Sequence, residues 1–293
     1  MKKLNFIIKY GLALLLLSFY SCESWLNVTP SDRLSEEMLF NDREGFVKAL
    51  NGVYIELNTN ELYGRNLTAG ALDVMGQYYS VASSSHAFYN YGGLVYTGND
   101  EKALFDNMWQ KCYAVIACCN TIIEKCDENK AGLSPVWKGS IKGEALALRA
   151  MLHFDMLRLF GPLTSELDKE SIPYQTNSDQ TVTPLLSGSE VIGLILDDLK
   201  NAVGLLKDTD PYFVEEEFSD TDLNYRRFRM NYFAAKGLMA RVQLWGGDKE
   251  KAAATAKEVI AEGQAEGAEF FPFVTNSEAT SSNPDRVFYS EVL

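Results

Sequence analysis

The sequence predicts a mainly α-helical fold, built from helical hairpins that are separated by long loop insertions. Apolar residues recur at spacings of three and four through most of the chain after residue 35, which is the period of an amphipathic helix. No sustained alternation of apolar and polar residues indicates a β-sheet protein. The 293 residues, of which 46% are hydrophobic, are sufficient to bury a large core.

The N-terminal residues have the layout of a secretory signal peptide. Lysines at positions 2, 3 and 9 precede an apolar run from Tyr10 to Tyr20, which is too short to span a bilayer. Ser21 followed by Cys22 resembles a bacterial lipobox, in which the cysteine is acylated and becomes the first residue of the mature protein. The alternative is an ordinary signal peptide whose cleavage site falls near a cysteine. We expect a signal peptide over 1–21, lipidation at Cys22, a tether over 22–35 and one helical domain over 36–293.

The first hairpin is predicted from two helices on either side of a long insertion. One helix runs from about Glu36 to Leu57 with Ser35 as N-cap, and the other from about Phe105 to Lys125. Three cysteines of the second helix share one face, seven residues apart and too distant to form disulfides. We expect them to be buried apolar side chains and not metal ligands: Cys112, Cys119 and Cys126.

The second hairpin is predicted from Trp137–Phe160 and from a helix that continues to about Leu206. The first of these helices is apolar on nearly all sides and must be central. The second begins with a capping box formed by Ser187 and Glu190.

Polar residues inside the central helix favour structural roles. His153 lies between Leu152 and Phe154, where a hydrogen-bonded core histidine is expected. Arg149, Asp155 and Arg158 are expected to form a buried ion-pair set on the same helix, with the last two at the favourable three-residue spacing.

The third hairpin is the most regular unit of the chain. Residues 230–263 form two helical patterns joined by the turn Gly246, Gly247 and Asp248. A helical hairpin of about 34 residues is the tetratricopeptide period, so all three hairpins are interpreted as tetratricopeptide-like.

Two insertions exceed the roughly 12 to 15 residues at which loops become uncommon, and function is expected in them. They are Asn58–Leu104 and Gly161–Leu186. The first is rich in rings, serines and asparagines, which suits a sugar because aromatic faces stack on its apolar C–H face while hydroxyls and amides bond its OH groups. The alternative is that these rings pin the loop to the core. The candidate ligand residues are Tyr78, Tyr79, His86, Phe88, Tyr89, Tyr91 and Tyr96.

Charge limits the possible ligands. The net charge of −13 disfavours nucleic acid. Between Leu62 and Tyr96 the only charged residues are Arg65 and Asp73, so a neutral glycan is favoured over a polyanion. The acidic segment from Asp208 to Asp222 is interpreted as a solvated surface loop, with a calcium site as the alternative. No metal, cofactor or catalytic motif is present.

Four stretches in order resemble the SusD/RagB family of outer-membrane nutrient-binding lipoproteins. They are "CESWLNVTP", "EALALRAMLHFDMLRLFGPL", "SGSEVIGLILDDLKNAVGLL" and "RRFRMNYFAAKGLMARVQLWGGDKEKA". The resemblance implies a lipid-anchored, non-enzymatic protein at the outer-membrane surface of a Bacteroidetes-type bacterium. Such a protein captures oligosaccharides and delivers them to a TonB-dependent, SusC-like barrel.

Two further points stay open at this stage. Family members continue beyond the point where this chain ends, so the resemblance implies a domain truncated at its C-terminus. The alternative function is a tetratricopeptide-type protein–protein scaffold of the cell envelope that has no ligand site of its own.

Overall fold

The three predicted helical hairpins are present and pack in series. The computed structural model describes residues 36–179, 181–264, 275–280 and 282. The predicted signal peptide, Cys22, the tether and the Ser35 cap lie outside these residues. The helices are α1 (Glu36–Leu39), α2 (Arg43–Leu57), α3 (Ala71–Met75), α4 (Tyr89–Gly92), α5 (Asn99–Glu128), α6 (Pro135–Phe160), α7 (Gly188–Thr209), α8 (Asp220–Tyr225), α9 (Tyr232–Trp245), α10 (Lys249–Gly263) and α11 (Asn276–Ala279).

The first predicted helix is in fact two, α1 and α2. The break occurs because the Asp42 carboxylate accepts a hydrogen bond from the backbone N–H of Gly45 at 2.8 Å and caps a new helix. Its partner α5 is longer than predicted at both ends, beginning after Gly98 and ending at Glu128, and the next residue, Asn129, adopts a left-handed conformation. Helices α2 and α5 pack together as the first hairpin.

Helix α6 is central, as its apolar pattern predicts. It packs against α5 on one side and α7 on the other, and Ala145, Leu152 and Met156 are completely buried. The predicted capping box is confirmed, because the hydroxyl of Ser187 and the carboxylate of Glu190 each accept the other residue's backbone N–H. In the described part of the chain, no helix has the length and apolar character needed to cross a membrane.

The second insertion contains a small antiparallel sheet. Strands β1 (Glu170–Pro173) and β2 (Leu185–Ser187) pair with Glu170 opposite Ser187. This insertion is tied to α5, because Nδ2 of Asn120 donates hydrogen bonds to the backbone carbonyls of Gln175 and Asn177 at 3.2 and 2.9 Å.

The third hairpin is formed by α9 and α10 around the predicted turn. Gly247 has φ of +92°, a conformation that favours glycine, and the side chain of Asp248 caps α10 by accepting from Lys251 N–H at 3.1 Å. Helix α9 also packs on α7, which places this hairpin directly after the second one.

The prediction that three cysteines of α5 are buried is confirmed. The three residues at seven-residue spacing are fully buried, whereas the neighbouring Cys118 is exposed, and none of the four helical cysteines is in a disulfide. Burial raises the pKa of the Cys126 thiol to about 12, so this side chain behaves as an apolar group at neutral pH.

The predicted ion-pair set on α6 is only half correct. Arg158 does pair with Asp155 at 3.0 Å. Arg149 instead pairs with Asp198 of α7, and its Nη1 donates to the side-chain oxygen of Asn120 at 2.8 Å. The difference arises because the long side chain of Arg149 reaches partners on both α5 and α7, the two helices that pack against α6.

The acidic segment 208–222 is not a solvated loop throughout, so that interpretation is wrong for Asp210. This residue is fully buried and accepts hydrogen bonds from Nε and Nη2 of Arg226 at 3.0 and 2.6 Å. Arg226 also forms an ion pair with the carboxylate of Glu144 on α6. Nε of Arg229 donates a hydrogen bond to the same carboxylate at 2.7 Å. Burial alone would raise the pKa of Glu144, but the two guanidinium groups outweigh it and the net pKa is lowered.

Candidate functional site

The first insertion, residues 58–98, is fastened to the helical core. The hydroxyl of Tyr63 donates to Oδ2 of Asp155 on α6 at 2.6 Å, and Leu62 is completely buried. Near the other end, Tyr91 is only 2% exposed and contacts Phe105 of α5 edge-on at 6.0 Å between ring centroids. The loop is therefore attached to the helical core near both of its ends.

The segment that follows α3 is tied to α4 by one side-chain amide. Gln77 has φ of +62°, and its Nε2 donates to the carbonyls of Gly92 and Val74 at 3.0 and 3.3 Å. This places the segment after residue 77 beside the helical turn that carries Tyr89.

An aromatic cleft of about 450 Å³ lies between these two segments, and we call it the tyrosine cleft. Tyr79 and Tyr89 line it and are 53% and 42% exposed. The side chains of Gln77, Ser80 and Asn90 supply amide and hydroxyl groups to the same cleft. Its volume lies within the range of about 300 to 1,000 Å³ that is typical of small-molecule sites.

A second cleft of about 630 Å³ adjoins the first, because Asn90 lines both. We call it the histidine cleft. Nδ1 of His86 accepts a hydrogen bond from the Phe88 N–H at 3.1 Å, which places the proton of the neutral ring on Nε2. His86 is exposed and therefore offers a donor to a ligand in this cleft.

The seven predicted site residues fall into different environments. Tyr79 and Tyr89 share one cleft; His86, Phe88 and Tyr91 line the other. Tyr91 and Tyr96 belong mainly to the cluster that supports the loop, because both contact Phe105 edge-on. Burial raises the pKa of both tyrosines, of Tyr91 with help from nearby carboxylates. Tyr78 is 80% exposed and lines neither cleft.

Charge in the histidine cleft differs from the sequence expectation. Besides Arg65, the cleft is lined by Asp100 and Glu101 from the first turn of α5. Glu101 is 5% exposed and accepts a hydrogen bond from Nδ2 of Asn90 at 2.7 Å. The sequence pattern missed both acids because it placed the start of this helix at Phe105, although a glycine followed by acidic residues is a helix-start signal.

His153, the other histidine of the chain, has no access to a ligand. It is completely buried, its Nδ1 donates to the Arg149 carbonyl at 3.0 Å, and its Nε2 accepts from the Gln175 N–H at 3.0 Å. Burial lowers its pKa to about 3. The prediction of a hydrogen-bonded core histidine is confirmed.

Metal binding has no support in the part of the chain that the structure describes. No group of three or more His, Cys, Asp or Glu residues there is arranged to hold an ion. One acid of the segment considered for calcium, Asp210, is instead paired with Arg226.

Sequence comparison relates this chain to proteins of one family. A model of the SusD-like family described as "Starch-binding associating with outer membrane" matches residues 24–244. SusD-like protein P2 of Formosa agariphila is 26% identical over 265 residues, which cover 88% of this chain and 46% of that protein. A SusD-like protein of Bacteroides ovatus is 30% identical over 146 residues, which cover 48% of this chain and 23% of that protein.

Solved structures share the fold. A SusD-like carbohydrate binding protein from Bacteroides vulgatus superposes with a TM-score of 0.63 at 23% identity, covering 81% of this chain and 47% of that one. A laminarin binding SusD-like protein superposes with a TM-score of 0.61 at 17% identity, covering 84% and 50%. The chain thus spans about half the length of the relatives it matches. The family match over most of the chain, together with the helical hairpins and the inserted loops, shows that this protein belongs to the SusD-like family.

Proposed function

We propose that this protein captures neutral oligosaccharides at the cell surface and delivers them to a TonB-dependent, SusC-like barrel in the outer membrane. The observation that carries the proposal is the tyrosine cleft, in which Tyr79 and Tyr89 are half-exposed beside amide and hydroxyl groups. It is a binding role without catalysis.

The chemistry of the cleft suits a pyranose. Each exposed tyrosine ring offers an apolar face for the C–H groups of a sugar, while Gln77, Ser80 and Asn90 offer hydrogen-bonding groups for its hydroxyls. The adjoining histidine cleft extends this surface for a second sugar unit, and Asn90 lies at the boundary. Tyr78 remains a candidate at the edge of this surface because its ring is exposed.

The charge of the two clefts supports a ligand without negative charge. Asp100 and Glu101 outnumber Arg65 in the histidine cleft, and the tyrosine cleft is lined by uncharged residues. A uronic-acid or sulfated chain would therefore be repelled where a neutral glycan would not.

Localisation and partner follow from the family and the N-terminal sequence. The family description associates its members with the outer membrane, and Cys22 is the proposed acylation site. Several acyl chains would hold the protein firmly at the membrane. The barrel partner rests on the family resemblance.

If the protein were only a scaffold, the aromatic side chains of the first insertion would serve solely to pack this insertion against the helical core. Tyr91 and Tyr96 do serve that purpose, but Tyr79 and Tyr89 remain exposed by about half. This exposure favours a ligand-binding loop.

The test is isothermal titration calorimetry with neutral and anionic oligosaccharides. The chain without its signal peptide and with Cys22→Ser would be titrated with fragments of laminarin, starch, xylan, mannan and pectin. We expect one or more neutral fragments to bind, and the double variant Tyr79→Ala/Tyr89→Ala to bind at least tenfold more weakly. Leu163→Ala, which removes an exposed apolar side chain from the second insertion, is the matched control.

Three results would contradict the proposal. They are unchanged affinity in the double variant, a preference for the pectin fragments, and the absence of any glycan binding by a folded protein that still captures a barrel partner. The last result would support the scaffold alternative.

A further inference from the structure

A third pocket lies away from the first insertion, where α2, α6 and the segment 211–229 meet, and we call it the junction pocket. Its volume is about 390 Å³, again within the range typical of ligand sites. None of its lining residues lines the tyrosine cleft or the histidine cleft. Any ligand bound there would occupy a separate site.

The junction pocket has aromatic walls. Trp137 and Phe218 contact each other at 4.4 Å between ring centroids, and both line the pocket. Tyr225 and Phe228 also line it and are 62% and 68% exposed. Such exposed rings provide the apolar surface on which the C–H face of a pyranose stacks.

The polar side of the pocket is prearranged. Nη1 of Arg229 donates to Oδ1 of Asn51 at 2.6 Å, which leaves the amide nitrogen of Asn51 as a donor for a ligand. The hydroxyl of Tyr54 is held between Glu144, to which it donates, and the Met230 N–H, from which it accepts at 2.8 Å. These bonds fix the polar groups before a ligand arrives, which lowers the entropic cost of binding.

Most charges beside the pocket are paired, and the remaining carboxylate, Asp222, lines the pocket and accepts hydrogen bonds from the N–H and the hydroxyl of Ser219 at 3.1 and 2.7 Å. Two carboxylates, Glu144 and Asp210, pair with two guanidinium groups, Arg226 and Arg229. Buried charges that are already paired gain little from a charged ligand, which would have to lose its own hydration. The pocket therefore suits an uncharged ligand that has both an apolar face and hydroxyl groups.

We propose that the junction pocket is a second sugar-binding site, which takes one unit of a neutral glycan independently of the loop clefts. A chain with two such sites would hold a long polysaccharide more tightly than either site alone, because the second contact becomes intramolecular.

The experiment uses the indole N–H signals of ¹⁵N-tryptophan-labelled protein, again without the signal peptide and with Cys22→Ser. The chain has four tryptophans, and Trp137→Phe assigns the signal of interest. Neutral trisaccharides from laminarin, starch, xylan and mannan are titrated into the wild type, into Tyr225→Ala/Phe228→Ala, and into Tyr79→Ala/Tyr89→Ala. Leu244→Ala, on the exposed side of α9, is the matched control, and circular dichroism checks the fold of each variant.

We expect the Trp137 signal to shift with at least one of these sugars. The shift should weaken at least tenfold in affinity in Tyr225→Ala/Phe228→Ala but persist in Tyr79→Ala/Tyr89→Ala. If Tyr225→Ala/Phe228→Ala does not fold, Asn51→Ala replaces it, since this residue is exposed and lies on the polar side of the pocket.

A Trp137 signal that responds to none of the sugars would overturn the junction site, as would a shift that is unchanged in the junction variants. A shift that disappears when only the loop tyrosines are removed would overturn it as well. Failure of the loop site is a different result, because Tyr79→Ala/Tyr89→Ala would then leave calorimetric binding unchanged while the Trp137 signal still responds.

Discussion

The guanidinium group of Arg149 on α6 forms two parallel hydrogen bonds with the carboxylate of Asp198 on α7, each at 2.7 Å. Both side chains are about nine-tenths buried. Oδ2 of Asp198 also accepts from the hydroxyl of Tyr174 at 2.5 Å, so the pair joins two central helices to the second insertion. A buried, bidentate ion pair of this kind fixes the position of α6 relative to α7.

Removing one partner of this pair is expected to destabilise the protein strongly. Asp198→Ala leaves the Arg149 charge buried without its carboxylate, which typically costs about 3–5 kcal/mol of unfolding free energy. Denaturation by urea, followed by circular dichroism, measures the change. The control is Glu44→Ala, which breaks the exposed pair with Lys48 on α2 and should have a far smaller effect. Equal losses in the two variants would contradict this account.

The buried His153 predicts a specific dependence of stability on pH. Its pKa is about 3 in the folded protein and 6.5 in the reference state. Between these values the unfolded chain binds a proton that the folded chain does not, so stability falls as the pH falls from 6.5. The slope approaches about 1.4 kcal/mol per pH unit below pH 6, which amounts to about 1.6 kcal/mol between pH 6.5 and 5.

Urea denaturation at pH 7, 6 and 5 tests this prediction above the range in which most carboxylates titrate. His153→Gln should lower stability at every pH but flatten the slope. Leu163→Ala, at an exposed apolar position, should leave the slope as in the wild type. If the stability of His153→Gln depended on pH as steeply as that of the wild type, groups other than His153 would cause the dependence.

Local patterns predicted the helices well and long-range partners poorly. The capping box at Ser187 and the Asp155–Arg158 pair are formed within one helical turn, so their spacing is visible in the sequence. The partner of Arg149 is 49 residues away, and no spacing rule identifies it. The break at Asp42 was missed because the apolar pattern continues through it.

The site shows the same limit. Composition identified the aromatic stretch, but it did not show which rings are exposed. Tyr89 and Tyr91 are two residues apart on α4, yet one is 42% exposed and the other 2%. A helical turn sends them in different directions, and the packing of Phe105 determines which one is buried. Asp100 and Glu101 reach the cleft from a different element, which composition of the loop cannot reveal.

The cysteines of α5 are expected to differ in reactivity. Burial raises the pKa of all four helical thiols, so the difference between them is access: Cys118 is exposed, whereas the other three are buried. In the Cys22→Ser background, a thiol reagent should label one site quickly and three only on unfolding. Cys118→Ser should abolish the fast phase, while Cys126→Ser should leave it intact. Fast labelling of more than one thiol would show that this face of α5 opens readily.

The last prediction separates support from binding within the first insertion. Tyr91 is packed among Phe88, Tyr96 and Phe105, so Tyr91→Ala leaves a cavity and should cost about 3 kcal/mol of unfolding free energy. Tyr89→Ala removes a ring that is 42% exposed and should change stability by less than about 1 kcal/mol, while it weakens sugar binding. Thermal and urea denaturation measure the first quantity and calorimetry with the best neutral oligosaccharide the second. If Tyr91→Ala kept full stability and lost binding, Tyr91 would be a ligand residue, and the loop would have to rest on the core through other side chains.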